Sequence, residues 1–159
     1  RAVGGLDLLP SDVVALTAEY YFNGWGADRP AGYLEVMRSE RVGRGEVFGA
    51  GRHYLGLVAS YQPTNVLALQ ALVINNLGDP SALMVPVLEW WAEQHVLVRL
   101  GGTLPVGRGP DAGALERLTV ADLAGPSADY RAATATLGLR SEYGASAYGL
   151  FAQVAVYPL

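Results

Sequence analysis

The sequence predicts an all-β protein, an antiparallel up-and-down meander of about six transmembrane strands. Three observations favour this fold. First, 51% of the 159 residues are hydrophobic but only 16% are charged, against the ~25% charged residues that are usual in soluble domains. Second, apolar and polar residues alternate over segments of about ten residues. Third, no run of ~18 apolar residues occurs, which excludes a membrane-spanning helix. The apolar residues instead alternate with polar ones, as they do in a membrane strand.

The first predicted strand has the clearest period of two. One face holds only apolar and aromatic side chains, those of Val14, Leu16, Ala18, Tyr20 and Phe22. The other face holds Thr17, Glu19, Tyr21 and Asn23. A helical period does not separate these sets, whereas a strand does. Similar segments follow, and the six strands are predicted at about 13–25, 52–61, 65–76, 82–91, 96–104 and 143–159.

The predicted connections alternate between short and long. Tight turns are expected at Gln62–Thr64, where proline fixes φ, and at Glu93–His95. Loops of about 26–51 and 107–140 are much longer than most connections in compact domains. In a meander both long loops fall on one side of the sheet, and with six strands both chain ends fall on the other. Short periplasmic turns and long extracellular loops are typical of transmembrane barrels.

Aromatic residues gather near the ends of the predicted strands. Rings with an apolar body and a polar tip are favoured at the two interfaces of a membrane. The sequence therefore predicts two groups of interface aromatics. Trp25, Tyr54 and Tyr148 belong to the long-loop end, and Tyr61, Trp90, Trp91 and Tyr157 belong to the short-turn end.

Five strands each place one polar residue opposite the apolar stripe. These candidate lumen-lining residues are Glu19, Gln70, Glu89, Arg99 and Gln153. A tight turn at 93–95 makes Glu89 and Arg99 cross-strand neighbours, a pairing that contributes roughly 0.2–1 kcal/mol. A lone Arg at the bilayer midplane costs about 2–4 kcal/mol, so Arg99 is expected to face the lumen. The five residues are expected either to line a pore and tune its selectivity or to fill a narrow barrel as a structural network.

Several kinds of chemistry have no support in the sequence. The net charge of -4 leaves no basic surface for nucleic acid, and the absence of cysteine excludes disulfides and thiolate metal sites. His53 and His95 lack metal-ligand spacing. No serine combines with a base and an acid in a catalytic triad. We therefore expect no enzyme activity, no catalytic residue, no metal and no cofactor.

The C-terminal residues carry a resemblance to a known class of proteins. The ending Phe151–Leu159 resembles the terminal strand of Gram-negative outer-membrane β-barrels of the porin type, although it ends in Leu159 where an aromatic residue is usual. With the alternating segments, the resemblance covers nearly the whole chain. It implies that the chain is the C-terminal part of a larger outer-membrane barrel, with the lipid bilayer and the barrel-assembly machinery as its partners. The chain begins at Arg1 without a signal peptide, which fits a fragment or a processed form.

Three functions are consistent with these features. The first is a passive channel or uptake porin for small solutes in the bacterial outer membrane. The second is a non-conducting outer-membrane barrel that acts as a surface binding or structural protein. The third, from a different class, is a soluble β-sandwich or ligand-binding barrel.

Overall fold

The strands form one antiparallel sheet in chain order. In the computed structural model, which describes residues 1–110 and 139–157, the sheet has seven strands in the order β1 to β7. Their bounds are β1 Ala2–Ser11, β2 Val14–Phe22, β3 His53–Thr64, β4 Leu67–Asn76, β5 Ser81–Glu93, β6 Val96–Val106 and β7 Gly149–Val156. The predicted all-β, antiparallel up-and-down meander is therefore confirmed. The sheet is open, because β1 and β7 do not pair with each other.

The prediction of about six strands was wrong by one, since β1 precedes the first predicted strand. β1 pairs with β2 in regular register from Ala2 to Leu8 and is exposed along its whole length. Gly4 and Gly5 have no side chains to alternate, so they hide the strand period. The additional strand also moves the start of the chain, so β1 begins at the long-loop end of the sheet and not at the short-turn end.

The tightest connections lie together at one end of the sheet. In the described part of the chain they are two-residue turns at 12–13, 65–66 and 94–95, each beside a shift in register. The predicted turn at Gln62–Thr64 was misplaced, because Pro63 lies inside β3. The pairing of β3 with β4 shifts between Tyr61 and Thr64, and a bulge is one of the few places where a strand accepts proline.

The first long loop connects β2 to β3 and contains short helical turns. Its described elements are a 3-10 turn at Pro30–Gly32, α1 at Tyr33–Met37 and α2 at Glu40–Gly43. Asn23 is buried where the loop starts, and its side-chain amide donates hydrogen bonds to the carbonyls of Gly49 and Gly51, both at 3.1 Å. A Cβ on Gly26 would overlap the carbonyl of Gly51. The two ends of the loop therefore run in contact.

The buried residues concentrate at the long-loop end. Among the described residues, Tyr33, Val47, Ala50 and Tyr54 are buried apolar side chains there. The connection between β4 and β5 at the same end is short, 77–80. The predicted loop 107–140 lies mostly outside the described residues, as do the last two residues of the predicted terminal strand. The middle of the sheet, by contrast, leaves large apolar side chains in contact with solvent.

Candidate functional site

One face of the sheet is apolar, and we call it the apolar face. Residues that pair directly across strands share a face, so the register assigns each side chain. Its central positions are Leu6, Leu8, Leu16, Ala18, Leu57, Ala59, Leu69, Ala71, Val73, Met84, Pro86, Leu88, Val98, Leu100, Leu104, Leu150, Ala152 and Val154. Apart from Glu93 beside a tight turn, no described strand residue on this face is Asp, Glu, Lys or Arg. Many of these side chains are well exposed, Leu150 by 88%.

The opposite face, which we call the polar face, holds the charged residues of the strands. Asp7, Glu19, Glu89 and Arg99 all lie on it, with Gln70 and Gln153. All five predicted lumen-lining residues therefore share one face of the sheet. Whether this face lines a lumen stays a prediction, because the sheet is open.

Three of the five predicted residues are in contact. Glu89 and Arg99 are cross-strand partners, as the sequence predicts, and the Glu89 Oε1 lies 2.6 Å from the Arg99 Nη2. Arg99 Nε also donates to Glu89, and its Nη1 donates to Gln153 Oε1 at 3.0 Å. The guanidinium thus bridges three neighbouring strands, β5, β6 and β7. The positive charge of Arg99 is neutralised within this network.

Glu19 and Gln70 stand apart from that network. Gln70 is exposed on β4, in register with Ser60 and Val87. Glu19 is exposed on β2 between two glycines, because Gly5 of β1 and Gly56 of β3 are its direct cross-strand partners. The structure therefore brings Glu89, Arg99 and Gln153 together and leaves the other two separate.

A buried polar cluster at the long-loop end was not predicted from the sequence. We call it the loop-end cluster, and its members are Tyr33, Tyr54, Asn76, Asp79 and Glu142. The Asn76 amide donates to Glu142 Oε2 at 2.6 Å and to the Tyr33 hydroxyl at 3.0 Å. The Tyr54 hydroxyl donates to Glu142 Oε2 at 2.7 Å, and the Tyr33 hydroxyl donates to Asp79 Oδ2 at 2.7 Å.

Backbone amides complete the loop-end cluster. The Glu142 N–H donates to Asp79 Oδ2 at 2.8 Å, and the Ala50 N–H donates to Glu142 Oε1 at 2.7 Å. These bonds join α1, the end of the first long loop, the β4–β5 connection and the segment before β7. Because these segments come together beside Tyr54 and Asn76, the first long loop is held against the polar face.

Two tyrosines at this end that lie outside the strands, Tyr33 and Tyr143, have a raised pKa. Burial raises the pKa of the Tyr33 hydroxyl well above its ordinary value, and the hydrogen bond to Asp79 raises it further. Burial likewise raises the pKa of Tyr143, with a smaller contribution from the negative charges of Glu142 and Asp79. Tyr33 therefore keeps its proton and remains the donor to Asp79 well above neutral pH.

A cavity of about 500 Å³ lies between the polar face and the first long loop. Side chains of β1 to β4 form one side, including Thr17, Glu19 and Tyr21. Phe48 and Gly49 of the loop and Tyr143 from the segment before β7 contribute the other side. The cavity is next to the loop-end cluster, because Tyr54 belongs to both.

A larger depression of about 930 Å³ lies mainly on the apolar face. It covers the centre of the sheet near Pro86, Gly101 and Gly102. Val85 and Pro86 have no direct cross-strand partners in β6, in keeping with the missing N–H of proline. On the polar face, the Phe151 ring covers Gly101, its cross-strand partner, a pairing that restores packing at a strand glycine.

The predicted interface aromatics occupy the two ends of the sheet. At the short-turn end, Trp91 and Tyr157 pack with their ring centroids 5.7 Å apart, while Tyr61 and Trp90 are exposed. At the long-loop end, Trp25 is exposed between two guanidinium groups, those of Arg1 and Arg41. Tyr148 is also exposed there. Tyr54 differs from the others because it is buried in the loop-end cluster.

Neither a metal centre nor a helical membrane anchor is seen in the part of the chain that the structure describes. No group of three or more His, Cys, Asp or Glu there is placed to hold a metal ion. No helix in those same residues has the length and apolar character needed to cross a membrane.

Comparison with protein-family models, with curated proteins and with solved structures finds no match to this chain. The class of protein that the structure defines is an all-β protein with one antiparallel meander sheet, a charged face and an apolar face. The features that bear on its function are the two faces, the loop-end cluster and the cavity beside that cluster.

Proposed function

We propose that the chain is part of a bacterial outer-membrane β-barrel whose complete form is a passive channel for small solutes. In this proposal the apolar face contacts lipid and the polar face lines the lumen. The bilayer would be the partner of the apolar face. Water and solute would be the partners of the polar face.

The distribution of charge between the two faces carries the proposal. Apart from Glu93 beside a tight turn, the charged strand residues lie on the polar face, whereas the apolar face exposes leucine, valine and aromatic side chains across seven strands. An exposed apolar surface of this extent is unusual on a soluble monomer and marks a surface that meets lipid or another protein. Strands with one apolar and one polar face are the pattern of a transmembrane barrel.

The edges and the loops of the sheet fit the same proposal. β1 and β7 present unpaired strand edges, and such edges promote association unless they are paired or covered. Further strands that close the sheet would remove both edges, and about eight strands are the usual minimum. The two-residue turns lie at one end and the first long loop lies at the other, which supports a periplasmic and an extracellular side. Recognition of the C-terminal strand by the barrel-assembly machinery is part of this proposal.

Conductance of the complete protein tests the proposal. The protein is purified in detergent and added to a planar lipid bilayer, where stepwise ion conductance is expected. Gln70 offers a matched pair of variants on the polar face, because Gln70→Glu and Gln70→Lys add opposite charges at one position. The reversal potential in a salt gradient should shift towards cation preference for the first and towards anion preference for the second. Glu93→Gln, beside a tight turn and not on the polar face, is the control and should leave the reversal potential unchanged.

The alternative function is a non-conducting barrel that binds a partner at the cell surface. The observation that favours it is the position of the first long loop, which the loop-end cluster holds against the polar face. A protein that inserts into the bilayer and remains silent would support this alternative over a channel. A monodisperse protein that stays soluble without detergent would overturn both.

A further inference from the structure

The cavity beneath the first long loop has the size and lining of a small-molecule site. Its volume of about 500 Å³ lies within the range of roughly 300–1,000 Å³ that is common for ligand pockets. Its lining is mostly apolar and aromatic, with a few polar groups. No Lys, Arg or His is among the residues that line it.

Glu19 supplies the single charge of this cavity. Its carboxylate forms no hydrogen bond or ion pair with any residue in the described ranges, 1–110 and 139–157. The other acidic strand residues on the polar face do have partners. Glu89 pairs with Arg99 at 2.6 Å, and Asp7 accepts a hydrogen bond from the Thr17 hydroxyl at 2.6 Å. Glu19 is therefore the carboxylate on this face that is left to a ligand or to water.

The two glycines beside Glu19 keep the space around it open. Gly5 and Gly56 flank it on the neighbouring strands, so no cross-strand side chain covers the carboxylate at this level of the sheet. A Cβ added to Gly56 would approach only the backbone oxygen of Glu19, at 3.7 Å. The open space beside Glu19 is thus a consequence of missing side chains, and a larger residue at position 56 would occupy it.

Four aromatic residues line part of the cavity. Tyr21 and Tyr54 stack with their ring centroids 6.1 Å apart, and Tyr143 lines the cavity beside them. Phe48, from the loop, is 87% exposed and has most of its ring free for contact. The faces of such rings attract cations, and their edges pack against apolar groups.

We propose that this cavity binds a small organic cation, an ammonium group attached to an aromatic or aliphatic body. Glu19 is the counter-ion of the ammonium group, and the rings of Tyr21, Phe48 and Tyr143 contact the body. A bare metal cation is a poor fit, because hard cations require several oxygen ligands and the cavity offers one carboxylate. An anionic solute would be repelled by Glu19. This inference goes beyond transport, because it concerns binding. It holds whether the complete barrel conducts ions or not.

Binding of 2-phenylethylammonium to the detergent-purified protein tests the proposal. Titration calorimetry in a non-ionic detergent is expected to show saturable binding that is tighter than for the neutral analogue 2-phenylethanol. Glu19→Gln should weaken binding of the cation by about tenfold or more, as expected for the loss of a charged hydrogen-bonding partner. It should change the affinity for the alcohol little. Glu93→Gln removes one negative charge at the other end of the sheet and should leave both affinities unchanged.

A second variant tests the location without removing the carboxylate. Gly56→Val occupies the space beside Glu19 and should weaken binding of both probes. Valine is favoured in strands, so the fold should be retained, which circular dichroism checks; Gly56→Ala is the milder substitute if it is not. The proposal is overturned if the wild-type protein shows no saturable binding, if Glu19→Gln binds the cation as well as wild type, or if occupying the space beside Glu19 changes nothing. None of these results alters the conductance measurement, so the two proposals fail separately.

Discussion

Adjacent residues in the middle of β3 give a sharp test of which face meets lipid. Leu57 lies on the apolar face and Val58 on the polar face, and each is paired with a strand on both sides. Their exposures are similar, 40% and 36%. Replacing each with arginine therefore places the same charge at the same depth on opposite faces. An arginine that faces lipid near the bilayer midplane destabilises a barrel by about 2–4 kcal/mol.

The expected difference between the two variants is large enough to measure. A cost of about 2–4 kcal/mol lowers the folding equilibrium constant about 30-fold to nearly 1,000-fold. Leu57→Arg should show this loss in urea-dependent unfolding from phospholipid vesicles, followed by tryptophan fluorescence. Val58→Arg should lose much less, because in the proposed barrel its side chain faces the lumen, where water can solvate the charge. Equal losses, or a larger loss for Val58→Arg, would refute the assignment of the faces.

Three further results follow from the contacts on the polar face and at the loop end. A double-mutant cycle on Glu89 and Arg99 should give a coupling free energy of about 0.2–1 kcal/mol in urea unfolding, and a value of zero would contradict the observed bridge. Asn76→Ala should lower the free energy of unfolding by about 1–3 kcal/mol, because it leaves buried carboxylate oxygens with one partner fewer. It should also speed tryptic cleavage of loop 26–51, and unchanged cleavage would contradict the role of the cluster. Because the pKa of Tyr33 is raised in the folded state, the unfolded chain loses this proton first, near pH 10. The free energy of unfolding should therefore fall as pH rises above about 10, with a smaller slope in Tyr33→Phe; an identical slope would argue against the shift.

The strand faces were predictable because a period of two survives in most strands. Leu16 and Glu19 differ in parity, and the register keeps them on opposite faces of the sheet. The same reasoning predicted that Glu89 and Arg99 would be neighbours, since a turn of fixed length determines the register of a hairpin. Patterns that depend on nearest neighbours along the chain or across one turn are therefore accessible from sequence.

β1 could not be predicted on the same grounds. Gly4 and Gly5 carry no side-chain information, and Leu8 and Leu9 place two apolar residues in succession before Pro10. The alternation is interrupted at both points, although the backbone pairs regularly with β2 from Ala2 to Leu8, before the register shifts. The space around Glu19 was missed for the same reason, because it depends on Gly5 of β1.

The loop-end cluster was missed because its residues are distant along the chain. Tyr33 and Asp79 are 46 residues apart, and Tyr54 and Glu142 are 88 apart. Only the folding of the first long loop and of the segment before β7 against the sheet brings them together. One signal was present, since asparagine at the end of β4 and aspartate in the β4–β5 connection can bond to the backbone. That signal predicts a turn and does not identify partners from other loops.

The orientation of the sheet in a bilayer is tested most directly by a spin-label scan along β3. Cysteine is absent from this chain. Single cysteines at positions 55–60 can therefore be labelled one at a time in the complete protein in lipid vesicles, once any cysteine outside this chain is replaced with serine. We predict that collision rates alternate with a period of two. Oxygen, which is concentrated in lipid, should relax labels at 55, 57 and 59, and a water-soluble nickel chelate should relax those at 56, 58 and 60. Equal access of the nickel chelate to all six positions would contradict the proposal that the apolar face contacts lipid.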